Sequence, residues 1–175
     1  MLQTTYLTTD DLKSYTPIST NVDTSQLENW IPVTEGMHIV PILGTALDTA
    51  LKTELEATGT LTGNNETLLV YIKNASAWYC FYESVGFIRT KAMNKGLTQQ
   101  FSDNSQVVST DDYKIYKQEI LDKAMFFRNA LITYLETNKA LFPLYRSCDG
   151  SWYSGDDSCC NSGCNSKEFS GGIWL

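Results

Sequence analysis

The chain has 175 residues, with 13 Lys and Arg against 20 Asp and Glu, for a formal net charge of −7. That length suits one domain with a real core, and 42% hydrophobic residues is a folded-protein composition rather than a disordered one. So acidic a chain lacks the broad cationic face that gripping nucleic acid needs, so tight or sequence-specific DNA binding is not expected.

The first stretch, "MLQTTYLTTDDL", has neither a basic leader nor a long apolar run, and no segment approaches a membrane span. These features point to a soluble, intracellular protein with reduced thiols. A short helix is expected to open at "LTTDDLKSY". Thr8 or Thr9 supplies the cap, Asp10 and Asp11 occupy the first turn, and Pro17 provides the stop. From Asp23 to Gly59 the sequence reads as two helices in close succession. Asp23, Thr24 and Ser25 offer caps, and Leu27, Trp30, Ile31 and Val33 recur at mixed helical spacing. Pro32 and Pro41 punctuate the run. Leu47, Ala50, Leu51 and Leu55 then share one face, and Gly59 ends the helix.

The segment after Asn64 and Asn65 is the most apolar. Between Leu68 and Phe87 apolar side chains point almost all around, and Trp78, Tyr79, Phe81 and Tyr82 form an aromatic run. A helix of this kind is central or shared with a partner. "KGLTQQFSDNSQVVST" reads as a loop or a small hairpin, with Gly96 and Asn104 as turn residues. A helix of roughly 28 residues, ~1.5 Å per residue, is expected from about Asp111 to Lys139. Thr110 caps it and Asp112 joins Asp111 in its first turn. Tyr113, Tyr116, Ile120, Ala124, Phe127, Leu131 and Tyr134 repeat at three- and four-residue spacing. Pro143 closes it.

These elements predict an all-α protein: a helical bundle with a long C-terminal helix over residues 1–145, then an extended Cys/Gly/Ser-rich arm over 146–175. Catalytic signatures are missing from the sequence. The single histidine, His38, sits in the apolar run "GMHIVPIL" and reads as a packed residue. Cys80 reads as a small buried hydrophobe. Asp10, Asp11, Asp111 and Asp112 read as helix punctuation, and Glu54, Glu56 and Glu119 as solvated faces. There is no phosphate-binding glycine loop, no G-x-S-x-G and no H-E-x-x-H. The expectation is a protein that is not an enzyme.

In the arm, Cys148, Cys159, Cys160 and Cys164 leave three fates open: zinc ligation, disulfides or free thiols. Cys160 and Cys164 have metal-ligand spacing, but Cys159 adjoins Cys160, and neighbours rarely aim at one ion. No cofactor is expected, zinc excepted. The apolar arm residues Trp152, Tyr153, Phe169, Ile173, Trp174 and Leu175 cannot be buried by so polar a segment. They read as anchors for another chain, with Gly155, Gly163, Gly171 and Gly172 giving the backbone freedom to follow its contour.

"LTTDDLKSYTPIS", "IVPILGTALDTAL", the apolar helix ending near "FYESVGFIRTKA" and "YKQEILDKAMFFRNALITYLETNKALFPLY" together cover Leu7 to Tyr145. In this order the chain resembles the head–tail connector, or neck adaptor, proteins of tailed phages, most closely those of Bacteroides-infecting and crAss-like phages. The resemblance implies a structural virion protein, assembled in the host cytoplasm. It implies a homo-oligomeric ring, often dodecameric, below the portal protein. Such a ring extends the DNA channel without binding DNA specifically and docks adjacent neck or tail proteins. No membrane is involved. The Cys-rich arm departs from that pattern. The alternative is a small zinc-stabilised protein-binding module with a Cys-rich knuckle.

Overall fold

A computed structural model describes residues 4–93, 96–99 and 110–145. The described chain is all-α apart from one small hairpin.

Thr8 caps the first helix, α1 (Thr9–Tyr15), in a reciprocal box. Its hydroxyl accepts from the Asp11 N–H at 3.1 Å, and the Asp11 carboxylate accepts from the Thr8 N–H at 3.2 Å. Each bond satisfies a backbone donor that the helix itself cannot. The Lys73 ammonium, 2.8 Å from Asp11, ties this cap to the central helix. Thr8→Ala removes the cap, and an expected loss of about 1 kcal/mol is checked by urea denaturation.

The second region is one helical path broken into pieces: α2 (Ser25–Glu28), α3 (Trp30–Thr34), a π-turn (Glu35–Ile39) and α4 (Val40–Leu43). Asp23 accepts from the Ser25 N–H at the start. Pro32 lies in the first turn of α3, where its missing N–H costs little. Pro41 donates no bond to the preceding turn. The wider π-turn, in which the Val40 N–H reaches back to the Glu35 carbonyl, is how the ladder crosses that gap. Gly44, at φ 77°, redirects the chain into α5 (Thr45–Thr58), and Gly59, at φ 74°, ends α5 in the left-handed conformation. A side chain at either position would be strained.

Next come α6 (Asn64–Arg89), an antiparallel hairpin of β1 (Thr90–Met93) and β2 (Gly96–Gln99) with Met93 opposite Gly96, and α7 (Thr110–Thr137). A 3-10 turn (Lys139–Leu141) follows.

The central position of α6 follows from its composition. Leu68, Ile72, Ala75, Ala77, Tyr79, Cys80 and Phe81 are all buried, and they point in several directions. Helix α7 runs antiparallel along one side. Tyr71 stacks on Tyr134 at 4.5 Å, Trp78 on Phe127 at 6.3 Å, and Phe81 meets Tyr116 edge-on at 6.2 Å. The α3–π-turn path covers another side, where Trp30 stacks on Phe87 at 4.3 Å and His38 on Tyr79 at 4.1 Å.

The core divides along α6. Its N-terminal half joins Tyr6, Ile42, Leu43, Leu47, Leu51, Leu131, Leu135 and Phe142. Its C-terminal half joins Leu7, Leu12, Ile18, Leu27, Ile31 and Ile120.

Several details differ from the sequence expectation. Ala50 is exposed, because α5 buries a stripe narrower than four apolar positions. Gly96 opens β2 rather than forming the turn. Helix α7 stops at Thr137, six residues before Pro143; at Asn138 both the backbone N–H, at 3.0 Å, and the side-chain amide, at 2.8 Å, donate to the Tyr134 carbonyl. Asn104 and the arm, with Cys148, Cys159, Cys160, Cys164, Trp152, Tyr153, Phe169, Ile173, Trp174 and Leu175, lie outside the described residues.

Candidate functional site: two outer apolar faces

The spacing of Trp30, Val33 and Met37, three then four residues apart, places them along one stripe of the α3–π-turn path. Thr34 and Glu35, between them, turn inward and are buried. Met37 is 51% exposed, and Val33 is exposed beside it. Phe87 of α6, 57% exposed, extends this surface through its stack on Trp30.

A second apolar surface lies on α7. Ile120, Ala124 and Leu131 face α6 and are buried, so Ile115, Met125 and Phe126 are carried round the helix to its outer side. Ile115 is 61% exposed and Phe126 66%. Phe126 is held edge-on by Phe127 at 5.3 Å. Gln118, Glu119 and Asp122 share this outer side, Gln118 donating to Asp122 at 2.9 Å, so its aromatic and aliphatic groups are interleaved with acids.

These surfaces lie on different sides of the protein. Trp78 and Tyr82 are on the flank of α6 that meets α7, since Trp78 stacks on Phe127 and Lys117 sits 4.5 Å over the Tyr82 ring. Glu83 and Phe87 meet the α3–π-turn path. At ~100° per residue, Tyr82 and Phe87 are separated by about 140° around the helix. The order is therefore apolar surface, α3–π-turn, α6, α7, apolar surface.

Polar groups cluster in two places near the π-turn. On its half-buried side His38 Nε2 lies 3.0 Å from Glu83 Oε1. On its inner side Glu35 is 1% exposed. Glu35 Oε1 accepts from the backbone N–H groups of Tyr6 at 2.8 Å and Leu7 at 3.1 Å, whereas Oε2 is buried without a hydrogen-bond partner among the described residues. Burial raises the Glu35 carboxyl to about 7, against the two N–H bonds and Lys52. Next to it, the Tyr6 hydroxyl donates to Asp48 at 2.7 Å and Lys52 pairs with Asp48 at 3.2 Å. Burial and the Asp48 carboxylate push the Tyr6 hydroxyl upward. Cys80 is buried, and desolvation moves its thiol up to about 12; such a thiol is a poor nucleophile at neutral pH.

Of the residues read as functional from sequence, His38 is packed as expected, though it engages Glu83. Asp10, Asp11, Asp111 and Asp112 fall in the first turns of α1 and α7. Glu54 lies on a solvated surface as read, and there it accepts from Asn65, from the Thr62 hydroxyl and from the Thr62 N–H, and these bonds lower its carboxyl. Glu35 and Asp48 escaped notice. The available signal was a lone Glu inside the apolar run "WIPVTEGMHIVPIL". Among the described residues no three His, Cys, Asp or Glu side chains gather as metal ligands, and no helix is long and apolar enough to cross a membrane.

No curated protein and no solved structure matches the chain. One sequence family does, over residues 39–154, from the last residue of the π-turn through α7 and beyond. That span is well over half of the 175 residues, and the chain belongs to this family of unknown function, DUF6712.

Proposed function

We propose that this protein is a structural head–tail connector subunit of a tailed phage, a non-enzymatic ring former that sits below the portal, surrounds the DNA path and docks tail components. The observation that carries this reading is the pair of outer apolar faces, one around Met37 and Phe87 and the other around Ile115 and Phe126. A closed ring needs heterologous contacts, in which one surface of a subunit meets a different surface of the next. Two apolar surfaces on different sides of one layered protomer suit that requirement. Exposed single apolar residues are common; clusters of large ones on both sides are less so. The acidic net charge agrees with a channel wall past which DNA slides.

In this reading the arm supplies additional hold. Trp152, Tyr153, Phe169, Ile173, Trp174 and Leu175 seat on a neighbouring subunit or ring. Ordering such a segment costs on the order of 1 kcal/mol per residue, which only burial of its large apolar side chains against a preformed surface offsets. Cutting the chain after Tyr145 therefore leaves the helical signal in circular dichroism intact and weakens assembly, read by mass photometry over a concentration series. Unfolding of the shortened chain, or undiminished assembly, would count against the arm. Loss of assembly on adding a zinc chelator to the intact chain would favour the zinc module instead.

A further inference from the structure

Glu35 is an unusual residue to bury. It is 1% exposed, it belongs to a π-turn, and it joins segments far apart in sequence. One carboxylate oxygen accepts from two consecutive backbone N–H groups, those of Tyr6 and Leu7. The other has no hydrogen-bond partner among the described residues. The residues so held precede the cap of α1 and enter both halves of the core, Tyr6 one and Leu7 the other.

We propose that Glu35 is a proton-dependent clamp on the N-terminal segment: protonated, it holds Tyr6 and Leu7 against the π-turn; ionised, it lets that segment lift. The reason is an imbalance of partners. An ionised carboxylate inside a protein needs its acceptor sites filled. The two N–H groups fill sites on Oε1 alone, so the charge is incompletely compensated while the segment is closed. Lifting the segment admits water to the second oxygen. A neutral carboxyl loses much less on burial, and its Oε1 still accepts from both N–H groups.

The surrounding groups set the direction. From the N-terminal segment the Tyr6 side chain faces Glu35. From α5 the Asp48 carboxylate opposes ionisation and the Lys52 ammonium favours it; these two also pair with each other. From α6 the Cys80 thiol lies close and is held protonated by burial. Thr34, adjacent in sequence, has a buried hydroxyl that interacts with the Cys80 thiol. On the same π-turn His38 is directed to Glu83. Burial is the largest influence on Glu35 and it favours the neutral form. This inference does not depend on the connector reading.

Amide hydrogen exchange on the full chain, followed by NMR and corrected for intrinsic rates, tests it. Between pH 5.5 and 8 the protection of the Tyr6 and Leu7 amides is expected to fall on the order of tenfold or more, while amides in the middle of α6 keep theirs. In Glu35→Gln the fall disappears, and in His38→Gln it persists. Equal pH dependence in the Glu35→Gln protein, a flat profile in the unaltered protein, or loss of the step in His38→Gln would each overturn the clamp. A carbon-13 titration of the unaltered protein requires no variant to fold. The Glu35 carboxyl should titrate near neutrality together with the Tyr6 and Leu7 amide shifts; titration in the ordinary carboxylate range, with those amides unmoved, rejects the proposal.

Discussion

Phe126→Asp is expected to leave the bundle folded and to abolish self-association. The side chain is 66% exposed, and among the described residues its one ring contact is the edge of Phe127, so removing it costs the fold at most about 1 kcal/mol. In an assembly the position is different. A large aromatic near the centre of an interface typically contributes 2 kcal/mol or more, roughly a thirtyfold change in dissociation constant. An aspartate there adds the cost of burying a charge in the contact, beside Glu119 and Asp122 on the same face. Sedimentation velocity at micromolar concentration should give a monomer with an unchanged circular dichroism spectrum. An unchanged assembly would place the contact elsewhere.

The second large effect is on stability against pH. The Glu35 carboxyl is raised from the ordinary glutamate value to about 7 in the folded protein. Between the unfolded value, roughly 4.3, and 7 the native state therefore binds more protons than the unfolded one. Stability contributed by this group is full below that window and is lost as pH rises through it, becoming constant above. The loss approaches ~4 kcal/mol if the burial is undisturbed and is smaller if the N-terminal segment lifts. Asp11 has the opposite sign. Burial is the largest single influence on it and acts upward, but the Lys73 ammonium and the Thr8 hydroxyl and N–H together outweigh it and lower the carboxyl. Its contribution is present above the ordinary aspartate value and is lost in acid. The two effects predict a stability maximum in mildly acidic solution, near pH 5, and a decline toward pH 8. Urea melts should show the Glu35→Gln protein more stable than the unaltered one at pH 8, with the decline between pH 5 and 7 gone. Equal slopes in the two proteins would mean that Glu35 ionises without cost.

How much of this was legible in the sequence varies with the physics involved. The presence of α6 and α7 was: α6 shows as an apolar run between Leu68 and Phe87, and α7 because burial on one side leaves a three- and four-residue rhythm, as at Ile120, Ala124 and Leu131, although its stop at Thr137 was not. The cap of α1 was legible as Thr8 or Thr9, since capping is local; which of the two, and its reciprocal bond with Asp11, only the structure decides. The π-turn was not. Pro32 and Pro41 announced a break, but whether a helix stops or widens at a proline depends on what packs beside it, here α6. Glu35 and Asp48 were hidden for the same reason: their partners, Tyr6 and Leu7, are in another part of the chain. The outer faces were half visible. The rhythm of α7 linked Tyr113, Tyr116 and Phe127, but Tyr116 is exposed, and Ile115 and Phe126 gain meaning only once the inward side is assigned and they are left outside.

The connector reading requires two different surfaces to meet, and a mixing measurement tests that requirement directly. Phe87→Asp disables one face and Phe126→Asp the other. Each variant alone should be monomeric by mass photometry. Mixed in equal amounts, they retain one intact pair of surfaces between unlike copies, with no intact pair left to continue the chain. A heterodimer that grows no further is the predicted result. Monomers that stay separate on mixing, or either variant assembling alone as the unaltered protein does, would contradict a heterologous ring built from these two faces.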